Sequence, residues 1–169
     1  MVIGTSGTTA SVVLDLPNAE AEQAFVGMLA GLAMYSVKTY LAHAKTTEAR
    51  KMVSRIAQGL ATHAETKDSP RFPGSAPRTP KDVPAGTKFV SDAKTWNHAS
   101  WRAIGFQLEE PQFYSYEYET ATNGKRATVR AHGDLDGDGV TSRFELTVEI
   151  TAAGAITIAP EMVEVDPLE

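Results

Sequence analysis

The chain changes its hydrophobic pattern three times. From Asn18 to Glu65 neither a Pro nor a cluster of turn residues interrupts it, and its first half, Ala24–Val37, is almost wholly apolar. In the second half Val37, Tyr40, Leu41, Ala44, Ala49, Met52, Val53 and Ile56 recur at steps of three and four. That spacing lines one face of a 3.6-residue helix. Lys38, His43, Lys45, Glu48, Arg50 and Lys51 fall mostly on the other side. The pattern predicts one helix over residues 18–65, with Asn18 as its N-cap and Glu20 and Glu22 at the positive end of its dipole. Gly59 is expected to weaken it, and Asp68-Ser69-Pro70 to end it. At about 1.5 Å per residue the rod is roughly 70 Å long. A small domain covers only part of such a rod, so the remainder needs another partner.

Residues 1–17 are small, polar and Gly-rich, and read as a flexible or extended segment in which SVVLDL is a candidate strand. After the helix, KDSPRFPGSAPRTPKDVPAGTKF holds five of the nine prolines and reads as an ordered connecting loop. Strict alternation then returns. Tyr114, Tyr116 and Tyr118 share one face of a strand, and Asn123-Gly124 is a strong hairpin signal. Ala127, Val129 and Ala131 share one face of the partner strand. Phe144, Leu146, Val148 and Ile150 mark a third strand, and Ala153-Gly154 turns the chain into AITIAP. The expected class is α+β, with the long helix over residues 18–65 packed on a three- or four-stranded antiparallel sheet within residues 66–169. The amphipathic half of the helix is the cover available for the sheet's apolar face.

Composition narrows the function classes. The net charge is −5 and no Lys or Arg precedes Lys38, so no basic patch for nucleic acid is expected. The chain has no Cys, which removes disulfides, thiolate metal sites and a cysteine nucleophile together. The apolar run Ala24–Val37 is 14 residues, short of the roughly 18–20 that span a bilayer, and Glu20 and Glu22 lie just upstream. Membrane insertion is therefore not expected from the segment as written.

One loop carries metal chemistry. Asp134-Leu135-Asp136-Gly137-Asp138-Gly139-Val140-Thr141-Ser142-Arg143-Phe144-Glu145 matches the calcium-binding loop of an EF-hand position by position. Asp134, Asp136 and Asp138 supply carboxylates, Val140 a backbone carbonyl, Ser142 the ninth position and Glu145 the twelfth. Hard oxygen donors and a sharp turn suit Ca²⁺, although both flanks read as strands rather than helices. A strand beginning by Ser142 would aim Glu145 elsewhere, and a water-solvated Asp/Gly turn is the alternative. The four histidines (His43, His63, His98 and His132) are scattered. They read as surface or capping residues, and no nucleophile motif accompanies them. A catalytic role is not expected.

The stretch VGMLAGLAMYSVKTYLAHAKTTEARKMVSRIAQG (Val26–Gly59) resembles the N-terminal helix of type IV pilins and pilin-like (fimbrial) proteins. There an apolar half like I-G-I-L-A-A-I-A runs into an amphipathic half like A-K-x-S-E-A. The matching residues here are Val26–Ala33 and Ala44–Ala49. PQFYSYEYE (Pro111–Glu119) and GDLDGDGVTSRF (Gly133–Phe144) are similar to pilin-like proteins of myxobacteria and related bacteria. The resemblance implies a pilin-like fold and a structural subunit of a type IV pilus-like or pseudopilus filament. It implies copies of the chain and other pilin-like subunits as partners, at the cell surface or outside a Gram-negative bacterium. The apolar half, with Phe25, Gly27, Met28, Leu29, Gly31, Leu32, Met34 and Tyr35, would form the filament core. Gly27 and Gly31 are spaced to let helices approach closely.

Pilins also carry a basic leader, a Gly-aromatic cleavage site and a Glu inside the apolar run, and LDLPNAEAEQAF ahead of Val26 shows none of these. Three readings stay open: a replaced leader, a different natural start, or a relative that assembles without membrane insertion. A second function class is a soluble calcium-dependent binding module, with Trp96, Trp101 and the tyrosines as its ligand face.

Overall fold

The structure, a computed structural model, describes residues 2–6, 9–13, 19–92 and 94–169. The chain divides into two units, Met1–Tyr40 and Leu41–Glu169. In the first, β1 (Val2–Ser6) and β2 (Thr9–Val13) pair as an antiparallel hairpin. The partner of the expected SVVLDL strand is thus the segment just before it. The predicted N-cap Asn18 and its neighbour Pro17 lie outside the described residues.

Helix α1 (Ala19–Glu65) begins in the first unit and ends in the second, and Glu20 and Glu22 occupy its first turn. It runs through Gly59 without a break. A Cβ at Gly59 would sit 3.0 Å from the carbonyl oxygen of Ile104, so this glycine marks a close approach of another segment rather than a weak point. Thr46, Ala49, Val53, Ile56, Ala57, Leu60 and Ala64 form its buried stripe. The expected stripe begins at Val37, whereas Val37, Tyr40 and Leu41 are exposed. Coverage by the sheet starts about two turns later than the periodicity alone implies.

Within the second unit, β3 (Ala76–Thr79), α2 (Ala99–Ala103), β4 (Tyr114–Thr120), β5 (Arg126–Gly133), β6 (Ser142–Ile150), β7 (Ile156–Ile158) and β8 (Val163–Val165) follow in order. The sheet is six-stranded and antiparallel, ordered β3-β4-β5-β6-β7, with β8 also paired to β6. The class is α+β as expected, but the sheet has six strands rather than three or four. The two unforeseen strands are short and lie at the margins. β3 carries Pro77 and precedes Pro80, tolerable because it pairs only through a bulged register on β4. β8 offers only Val-Glu-Val to a periodicity search.

The long strands behave as their alternation requires. Tyr114, Tyr116 and Tyr118, Ala127, Val129 and Ala131, and Phe144, Leu146, Val148 and Ile150 are all buried, in one core with the α1 stripe. Gly124, at φ 67°, makes the β4–β5 turn, and Gly154, at φ 83°, makes the β6–β7 turn. Trp96, Trp101 and Phe106 stack edge-on and tilted against one another and against Tyr116 and Tyr118. Both indoles are core anchors, with Trp101 donating to Thr79 Oγ1 and Trp96 to Ser91 Oγ, each at 3.0 Å.

A candidate metal loop and an unpartnered helix half

The β5–β6 connection is shaped by its own backbone before any ion is considered. Asp134 is buried at the end of β5. Its Oδ1 accepts from Gly137 N at 2.7 Å and its Oδ2 from Gly139 N at 3.1 Å. Asp136 Oδ1 accepts from Asp138 N at 3.2 Å, and Asp138 Oδ1 from Val140 N at 2.7 Å. Gly137 and Gly139 adopt φ 83° and 93°, a region that side chains disfavour. Two outside contacts hold the loop: Gly86 N donates to Asp134 O at 2.8 Å, and Lys45 Nζ to Leu135 O at 3.3 Å. The buried Leu135 side chain anchors it to the core.

This folding brings Asp134, Asp136 and Asp138 together, with a carboxylate oxygen of each within 4.8 Å of the others. Three hard oxygen donors could hold a metal ion, and the donor type suits Ca²⁺ or Mg²⁺. Oδ2 of Asp136 and of Asp138 accepts no hydrogen bond among the described residues, so each has an oxygen to offer. Loss of hydration, then the charges of Asp136, Asp138, Asp166 and Asp134, push the Glu169 carboxyl above its usual range. A cation at the three aspartates would relieve that repulsion.

Of the rest of the twelve-residue pattern, Val140 stays in the loop while Ser142 and Glu145 go elsewhere. Val140 lies in the loop beside Asp138, with its N–H already committed to that carboxylate. Ser142 is fully buried as the first residue of β6, and its hydroxyl donates to Gly133 O at 3.1 Å. Glu145 is three residues into the strand, opposite Arg130, whose Nε donates to Glu145 Oε2 at 2.8 Å. Once β6 begins at Ser142, its pleat commits these side chains to the sheet. The loop therefore gathers the first three acidic positions, and an Arg takes the twelfth. Lys45 and Gly86 escape sequence reasoning, since both contact the loop from distant positions with no motif of their own.

The second candidate site is the apolar half of α1. Val26, Met28, Leu29, Leu32, Met34 and Tyr35 are exposed, from 49% at Leu29 to 70% at Tyr35. Phe25 is half-buried, and a Cβ placed on Gly27 or Gly31 would meet nothing within 4 Å. An 18-residue window of α1 has mean hydropathy 1.3 with none of it buried, so by length and composition the helix could cross a bilayer. That window is longer than the 14-residue run counted from the sequence.

The remaining chemistry-bearing residues are dispersed. His98 caps α2, accepting from Ser100 N at 3.3 Å. His63 bonds Ala103 O at 2.9 Å, and His132 bonds Glu117 across β4–β5 at 3.1 Å. A surface hollow of about 340 Å³ is lined by Ser91, Asp92, Trp96, Asn97 and Arg102 among others. Its Asp92 carboxylate already accepts from Lys94 N, Thr95 N and Thr95 Oγ1 at 2.8–2.9 Å. The tryptophans and strand tyrosines, expected as a ligand face in a binding module, are buried instead. Trp101 and the three tyrosines fill the core, and Trp96 is the one of them that also borders the hollow. No protein-family model, curated protein or solved structure matches this chain.

Proposed function

We propose that the chain is a pilin-like structural subunit that assembles with copies of itself, and with related subunits, through the apolar half of α1. The observation that carries this reading is the run of exposed large apolar side chains from Val26 to Leu41 on one helix. A contiguous apolar surface of that extent marks an interaction site, because leaving it in water costs about 25 cal/mol for each Å². The helix-on-sheet architecture and the resemblance of Val26–Gly59 to pilin helices support the same reading. With it we propose a place at the cell surface or outside a Gram-negative bacterium, and a structural rather than catalytic role.

Calcium is the ion proposed for the loop, held by Asp134, Asp136 and Asp138 with the Val140 carbonyl. Three carboxylates with water completing the shell suit its larger and more flexible coordination better than the octahedron of Mg²⁺. The ion's part would be to stiffen a surface loop of the subunit.

Negative-stain electron microscopy of the concentrated protein, with and without calcium, tests both halves. Filaments are expected, and a dependence on calcium would tie the loop to assembly. Single small particles under both conditions would overturn the proposal.

A further inference from the structure

The hollow bordered by Trp96 gathers charges of both signs without pairing them. Arg102 lies on α2, Asp92 on the connection ahead of it and Glu109 on the segment after it, and all three line the same space of about 340 Å³. Among the described residues the Arg102 side chain has no hydrogen-bond or ion-pair partner, although two carboxylates share its rim. Both carboxylates keep an oxygen to spare. Asp92 accepts from Lys94 N, Thr95 N and Thr95 Oγ1, all through Oδ1. Glu109 accepts from Gln107 Nε2 through Oε1. Their other oxygens, and the Asn97 side-chain amide on the same rim, take no partner among the described residues.

The walls are set before any ligand arrives. Trp96 is buried edge-on against Trp101 and Phe106, and His98 caps the helix that carries Arg102. The Thr95 hydroxyl and two backbone amides pin the Asp92 carboxyl and hold it below the usual carboxylate range. Groups placed in this way need little ordering when a ligand binds.

We infer that this hollow binds a small zwitterion, an α-amino acid with an apolar side chain. The Arg102 guanidinium takes the carboxylate through paired N–H donors. Asp92 Oδ2 and Glu109 Oε2, which only accept when ionised, take the ammonium. Trp96 and Leu108 supply apolar surface for the side chain. The pattern of signs decides the class. A simple anion meets two carboxylates on the rim, and a simple cation meets the guanidinium. A neutral hydroxylated ligand covers three charges and compensates none of them. A ligand carrying both signs pairs all three. Every residue of the site belongs to the unit Leu41–Glu169, so the inference stands whether or not the chain assembles.

Tryptophan emission gives a local readout, because Trp96 borders the hollow. The full chain is titrated with L-leucine, L-leucinamide, 4-methylpentanoate and glucose, and L-leucine is repeated on Arg102→Gln and Asp92→Asn. The second variant keeps Oδ1 for its three donors and removes the charge. L-leucine is expected to shift the emission saturably. The amide and the acid, each lacking one of its charges, should bind at least about tenfold more weakly. Each variant should lose L-leucine binding by a similar factor and melt with the parent, since both side chains are exposed. Glucose binding more tightly than L-leucine would overturn the inference and make a sugar the ligand. No response to any of the four probes, or an L-leucine response equal in the parent and both variants, would overturn it outright.

Discussion

Glu48 shows how a single residue can contradict its place in a pattern. Its spacing groups it with the polar side of the helix, yet its carboxylate turns toward the sheet. There it accepts from Phe113 N and Tyr116 OH, each at 3.0 Å through Oε1. Burial pushes its carboxyl above the ordinary value, against the opposing effect of those hydrogen bonds and of Lys88. A carboxyl whose pKa is raised on folding contributes stability that is full below about 4.5, its unfolded value, and lost as pH rises through the folded one. Glu48→Gln keeps an oxygen for both donors and removes the buried charge. It should melt no lower than the parent near neutral pH and should flatten the pH dependence above about 4.5. Glu48→Ala strands both donors and should cost about 1–3 kcal/mol in urea denaturation.

His132 works in the opposite sense. Burial holds it below its usual value despite its bond to Glu117. A depressed histidine gives stability that is present above about 6.5 and lost on acidification. His132→Gln should therefore reduce the acid sensitivity of unfolding below that pH, as thermal melts from about pH 5 to 8 would show. Gly133 poses a steric test, since a Cβ there would overlap the Tyr114 ring. Gly133→Ala should destabilise by about 1–3 kcal/mol, the usual cost of overpacking, read from the denaturant midpoint.

Among the elements, those with strong periodicity are legible in the sequence and those held by tertiary pairing are not. Helix α1 and strands β4, β5 and β6 follow directly from the spacing of their apolar residues, and Asn123-Gly124 locates the turn between two of them. Strands β3 and β8 are short and exist because a long neighbour offers hydrogen bonds. Periodicity misplaces the start of the buried helical stripe because it shows that one face is apolar, not what covers it. In the acidic β5–β6 loop Asp134, Asp136 and Asp138 are readable from the motif. The parts played by Ser142 and Glu145 are not, because strand β6 takes them first.

For the loop as an element, calorimetric titration of the protein with calcium should show one site. Asp136→Asn combined with Asp138→Asn should weaken it at least about tenfold, since two of the three charged donors become neutral. The melting temperature should rise with calcium in the parent and stay fixed in the variant, as binding to the native state alone requires. Equal responses would remove the loop from the account.

At the scale of the molecule, the two parts of one helix differ in their surroundings. Its C-terminal stretch carries the buried stripe from Thr46 to Ala64, and the large apolar side chains from Val26 to Leu41 are exposed. The first explains the fold. Nothing among the described residues covers the second, which is why assembly is the central proposal.

Sedimentation velocity over a wide concentration range, comparing the parent with Leu29→Glu combined with Leu32→Glu, tests that claim most directly. Both side chains are exposed, so the substitutions should leave the fold and its melting temperature intact. The parent should sediment as species far larger than the 18.1 kDa chain and grow with concentration, while the variant stays small. A parent that sediments as a monomer throughout, indistinguishable from the variant, would contradict the account.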